Sequence, residues 1–304
     1  GAVMTRWWGW SWGSGIVFGL SLSVASTVVL LRALEDRGIL DSVDGRIAVG
    51  WLIVEDLVMV LALVLLPALA GVLGAAAPVD AHAGAHGAPG GSILATIGIT
   101  LLKVAAFLAV MLVAGRRVVP WILGRVVNTG SRELFTLAVL AIAVGIAVGA
   151  AALFDVSFAL GAFFAGIIVS ESDFSHEAAT NALPLQDAFA VLFFVSVGML
   201  FDPRIALRQP LQVIAVVAII LLGKSLAAFG IVLLFRHSVR TALTISASLA
   251  QIGEFSFILA ALGMSLGLLD RTAQSLIVAG ALLSITLNPA VFASVAPITR
   301  WIVR

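Results

Sequence analysis

The chain has 304 residues, 62% of them hydrophobic and only 11% charged, with a mean hydropathy of +1.18. So little polar surface excludes a soluble globular domain of this size, and the absence of cysteine excludes disulfide frameworks and thiolate metal centres. A formal net charge of +1 carries no nucleic-acid signature.

Repeated apolar runs of about twenty residues, bounded by Gly, Pro or Arg, predict an all-α, polytopic membrane protein. The opening GAVMTRWWGWSWGSG has no initiator Met and no signal-peptide pattern, so the expectation is a piece of a longer chain. Nine helices are predicted, roughly over 14–34, 46–73, 92–114, 133–153, 156–171, 185–201, 211–235, 240–265 and 271–294. The first is interrupted by SLSVASTVVLL, which groups Ser21, Ser23, Ser26 and Thr27 in an otherwise apolar run.

In the second helix, WLIVEDLVMV sets Glu55 beside Asp56, about 14 Å deep at ~1.5 Å per residue. One acid at mid-bilayer costs about 2.5–3.5 kcal/mol on insertion scales. Two adjacent acids must therefore be neutralised, paired or wetted by something else in the chain. The connection after this helix, AAAPVDAHAGAHGAPGG over 75–91, reads as a loop without Lys or Arg. A second loop, ESDFSHEAATNALPLQD over 171–187, is expected before the sixth helix, and Pro67, Pro184 and Pro289 are expected at kinks or span ends. Lys224 falls at the centre of the seventh helix, and the eighth carries AQIGEF, with Gln251, Gly253 and Glu254 at its midpoint.

Basic residues set an orientation. Eleven arginines, among them Arg116, Arg117 and Arg125, lie on one side of the predicted spans and four on the other. The positive-inside rule makes the first side cytoplasmic and puts the C-terminus there. Of the seven Trp residues, most fall near span ends, as an interfacial belt would require.

A polar, Gly-containing interruption halfway along a span lets a helix break and expose backbone amides and carbonyls, which is how many secondary transporters build ion sites. Two such interruptions, an acid pair and a lysine at one depth form a coherent candidate site. Neighbouring helix positions point about 100° apart, so Glu55 and Asp56 cannot both face one partner squarely. One is expected to meet Lys224 and the other to line a cavity.

The stretches GLSLSVASTVVLLRALEDRGILDS, GRIAVGWLIVEDLVMVLALVLLP, FALGAFFAGIIVSESDFSH, FAVLFFVSVGMLFDP and LAQIGEFSFILAALG resemble the membrane domain of Kef-type monovalent cation:proton antiporters, in order and spacing. The resemblance implies an inverted-repeat, sodium/proton-antiporter-like fold with two discontinuous crossing helices, working as a homodimer in a bacterial inner membrane. Residues 1–304 would form its transmembrane antiporter domain, lacking three or four N-terminal helices. A nucleotide-binding regulatory domain would lie outside these residues, and no cofactor is expected within them. The partners implied are H+ and a monovalent cation, K+ or Na+, with transport by alternating access and no enzymatic activity.

Carried over by motif, Asp56 matches the cation- and proton-binding aspartate and Lys224 a lysine that pairs with the preceding residue, here Glu55. Ser26 and Thr27 fall in the first helix break, and Gln251, Gly253 and Glu254 in the second. Glu55 departs from the Gln of glutathione-gated relatives, which leaves the transported ion and the stoichiometry open. A ligand-gated potassium efflux channel and a sodium-coupled solute carrier on the same fold remain alternatives.

Overall fold

The computed structural model describes residues 1–75, 93–154, 156–199 and 201–302, and among these it contains helices and no strand. The predicted loop over 75–91 lies outside the described residues from position 76 onward. Among the described residues six helices are long and apolar enough to cross a membrane: Val43–Leu69, Gly98–Val127, Arg132–Phe154, Ser175–Met199, Pro210–Leu234 and Arg271–Ile302.

The chain opens with α1 (Ala2–Trp7), which the sequence reading did not anticipate, and continues into α2 (Trp12–Ser21) and α3 (Thr27–Glu35). The last two share the first predicted span. Ser11 caps α2 by accepting from Ser14 N–H at 3.1 Å, and Ser26 caps α3 by accepting from Val29 N–H at 3.3 Å. A serine N-cap takes extended backbone while its hydroxyl satisfies an orphan amide, which ends one helix and starts another. The apolar span therefore breaks at its Ser/Thr patch, between residues 22 and 26.

One long helix, α4 (Val43–Leu69), follows, with Pro67 in its last turn. The next span joins α5 (Ile93–Val110), a π-helical turn at Met111–Gly115 and α6 (Arg116–Val127). It runs thirteen residues past the predicted end. Hydropathy marks where a helix leaves apolar surroundings, and the arginine-bearing turns of α6 continue the same helix beyond that point.

After α7 (Arg132–Phe154) and α8 (Phe158–Ser170) comes α9 (Ser175–Met199), which corrects the expected loop over 171–187. Only residues 171–174 form the connection; the Ala-rich EAATNAL is a good helix former, and Pro184 sits inside the helix without ending it. The short α10 (Arg204–Arg208) leads into a span made of α11 (Pro210–Ala218), a second π-helical segment at Ile219–Lys224 and α12 (Ser225–Leu234). The eighth predicted span is again two helices, α13 (Val239–Ser248) and α14 (Glu254–Ser265), and α15 (Arg271–Ile302) extends beyond the predicted 294.

By internal packing the chain divides into two units, one of residues 1–59, 70–79 and 195–304, the other of 60–69 and 80–194. The first holds both broken spans. Its core joins Leu30 and Leu34 of α3, Leu52 of α4, Val232 of α12, Ile245 of α13 and Phe292 of α15, with Trp51 packed against them. The second is built on small and aromatic residues. A Cβ on Gly161 of α8 would lie 2.7 Å from Ala147 Cα of α7, so these helices cross with backbones nearly touching. Phe107 meets both Phe154 and Phe164, with ring centroids 5.7 and 5.8 Å away.

Candidate ion site at the crossed helix breaks

Each break satisfies the other's backbone. Gly253 N–H donates to Val24 carbonyl at 3.1 Å. The fully buried Gln251 side chain accepts from Ser26 N–H through Oε1 and donates to Ser26 carbonyl through Nε2, both at 3.1 Å. The amide thus mimics a strand neighbour to one residue of the other break. Position 253 has room only for glycine, because a Cβ there would lie 2.5 Å from Ser26 Cα and 2.7 Å from Ser26 N.

Polar side chains also meet the carbonyls at the end of α13, which carry the negative end of its dipole. Asn288 of α15 donates to Ala247 carbonyl at 2.9 Å and Ser225 to Ser246 carbonyl at 3.2 Å. Lys224, at the end of the second π-helical segment, donates to Gln251 carbonyl at 3.4 Å. π-helical turns often mark functional positions, since the extra residue re-aims a side chain.

The acid pair on α4 splits into two different environments. Glu55 has both oxygens engaged: Oε1 accepts from Trp51 Nε1 at 2.9 Å, and Oε2 accepts from Ala25 N–H at 2.9 Å. Lys224 Nζ stands 3.7 Å from that same Oε2, with side-chain exposures of 11% for the lysine and 17% for the glutamate. Asp56 has one long contact, from Thr27 Oγ1 to Oδ2 at 3.5 Å. Its Oδ1 is buried without a hydrogen-bond partner among the described residues, as are Glu254 Oε2 and Ser256 Oγ. Glu254 and Glu55 both act electrostatically on Asp56.

All eight candidate residues fall in the first unit. Glu55, Asp56 and Lys224 surround the breaks, Ser26 and Gln251 stitch the breaks together, and Thr27 reaches Asp56. Gly253 gives the close approach, and Glu254 opens α14 beside it. Ser21 and Ser23 turn away, donating to Val17 and Leu20 carbonyls at 3.0 and 2.7 Å. The sequence reading missed Trp51, Ser225 and Asn288. A signal existed for the first, since Trp51 and Glu55 stand four apart on one helix face. For Asn288 the signal was an amide midway along an apolar helix.

Comparison with known proteins follows the same lines. The family described as "Sodium/hydrogen exchanger, transmembrane" matches residues 1–297. The chain is 64% identical over 294 residues to the YbaL protein of Escherichia coli (strain K12), whose name gives it as a candidate cation/proton antiporter; the match covers 96% of this chain and 51% of that protein. It is 67% identical over 155 residues to a Methylorubrum extorquens protein encoded in the phaC 3′ region, covering 51% of this chain and 55% of the relative. Arabidopsis thaliana K(+) efflux antiporter 6 is 31% identical over 280 residues, 91% of this chain and 44% of its own. The chain thus spans about half the length of these relatives.

Proposed function

The chain belongs to the sodium/hydrogen exchanger transmembrane family, and on that premise we propose that it exchanges a monovalent cation for protons, with Asp56 as the exchanging acid. One observation carries this reading: among the described residues three carboxylates, Glu55, Asp56 and Glu254, share the site with one ammonium, and that ammonium faces Glu55. Two buried carboxylate oxygens, Asp56 Oδ1 and Glu254 Oε2, have no hydrogen-bond partner among the described residues. A buried carboxylate without compensation is very costly, so the site requires positive charge from outside. A proton and a small cation both supply it, and they compete for the same oxygen.

Competition at one acid makes exchange obligatory if the site opens to one side at a time. In this reading residues 1–304 form the transmembrane antiporter domain, multi-pass in a bacterial inner membrane with a cytoplasmic C-terminus, and the whole protein is a homodimer. The excess of arginines on one side supports the orientation. Potassium is the proposed cation, supported by relatives named K(+) efflux antiporters at 31% and 30% identity. Ser26, Gln251 and Gly253 hold the two breaks in register, and Thr27 and Glu254 border the acid.

The test is cation-driven proton movement in proteoliposomes made with the full-length chain, using potassium and sodium in turn. Asp56→Asn keeps the shape of the side chain and removes its charge. We expect it to abolish exchange with either ion; wild-type exchange in that variant rejects the assignment.

A further inference from the structure

Trp51 has no part in the exchange as proposed so far, yet its indole N–H is given to Glu55 Oε1 at 2.9 Å, one helical turn along α4. The ring is itself fixed, packed against the buried cluster of Leu30, Leu52, Ile245 and Phe292. Glu55 is therefore held at one oxygen by a rigid donor, while the other oxygen receives Ala25 N–H at 2.9 Å and faces Lys224 Nζ at 3.7 Å.

A lysine ammonium is a compact cation on a flexible four-carbon stem. To Asp56, with Oδ1 buried and unpartnered on the adjacent position of the same helix, it is chemically equivalent to the cation the site is built to receive. The charged groups around the two acids are Lys224 at the end of the π-helical segment and Glu254 at the start of α14. The Gln251 carbonyl at 3.4 Å is a neutral partner for Lys224, so the charge that keeps the ammonium committed elsewhere is that of Glu55.

We infer that Trp51 is a positioning residue: it locks Glu55 onto Lys224 and so prevents that ammonium from competing with the transported cation at Asp56. This rests on the proposed exchange reading. It predicts a particular split, in which losing the indole donor weakens apparent cation affinity and leaves the maximal rate nearly unchanged.

The experiment replaces Trp51 in the full-length chain with 3-benzothienylalanine, which keeps the bicyclic shape and has sulfur where the N–H was; Trp51→Phe is the second variant. Two half-saturating potassium concentrations are read: for thermal stabilisation of the detergent-purified protein, and for cation-driven proton movement in proteoliposomes. Both are expected to rise about tenfold, the scale of one hydrogen bond to a charged group, with maximal rate within about twofold of wild type. An unchanged half-saturating concentration in the isostere overturns the inference, whatever happens to the rate. Thermal stabilisation needs binding alone. If the unmodified chain binds potassium but moves no protons, the exchange reading falls while Trp51 is still tested; if no cation stabilises it, both fall.

Discussion

The two units of this chain differ in what their described polar side chains pair with. In the second unit two polar pairs link neighbouring helices side chain to side chain. Arg116 Nε donates to Glu171 at 2.7 Å with side chains 52% and 44% exposed, and Arg132 Nε donates to Asn181 at 2.7 Å. The interior there is small and aromatic, as at Gly161 against Ala147 and Phe107 against Phe164. The other unit has an exposed pair as well, Arg32 with Asp36, but it also holds polar side chains inside that answer an interrupted backbone: Gln251 on Ser26, Glu55 on Ala25, Asn288 on Ala247. An apolar span tolerates a carboxylate or an amide where a neighbouring broken helix has released N–H and C=O groups to pair with it.

That contrast can be broken by substitution, beginning with the largest effect. Lys224→Ala leaves Glu55 buried without its cation, and loss of one partner of a buried pair costs about 3–5 kcal/mol. Thermal denaturation of the full-length protein in detergent should show it; an unshifted midpoint removes the pair from the account. Gln251→Ala takes away two of the bonds between the breaks, leaving that from Gly253 to Val24, and strands two backbone groups, on the order of 2–3 kcal/mol, measurable in the same assay.

Glycine gives the sharpest test of the difference between units. At position 253 a methyl group would lie 2.5 Å from Ser26 Cα, whereas at Gly145 of α7 it meets nothing within 4 Å. Gly253→Ala should therefore destabilise by about 1–3 kcal/mol through overpacking. Gly145→Ala should stabilise by about 0.4–1 kcal/mol by restricting the unfolded chain. Equal responses would show that the breaks do not approach as closely as described. The smallest effect belongs to Arg116→Ala, since a half-exposed ion pair contributes only about 0–1 kcal/mol; a larger loss would mean the second unit also depends on polar wiring.

How much of this was legible in the sequence follows from what each signal measures. The cost of burying Glu55 and Asp56 forces a site wherever they fall, and Ser26 and Gly253 announce breaks because serine caps helices and glycine permits close approach. Helix limits were less legible. Hydropathy reports surroundings rather than hydrogen bonding, so the polar turns over 175–187 read as a loop and α6 was cut short. The unequal roles of the two acids depend on which amides the opposite break presents, and that is a property of the crossing. Trp51 illustrates the limit: its spacing to Glu55 was readable, but an interfacial tryptophan and an inward-donating one look alike in a linear pattern.

The most direct test of the central claim is a side-by-side measurement of potassium-driven proton movement with Asp56→Asn and Glu55→Gln in the full-length chain. Glutamine keeps the shape of Glu55 and one acceptor oxygen, enough for Trp51 or Ala25 but not for both, so Glu55→Gln should weaken exchange by about tenfold without abolishing it, while Asp56→Asn should show none. Exchange that survives Asp56→Asn and is lost in Glu55→Gln would contradict the account and give the working acid to Glu55.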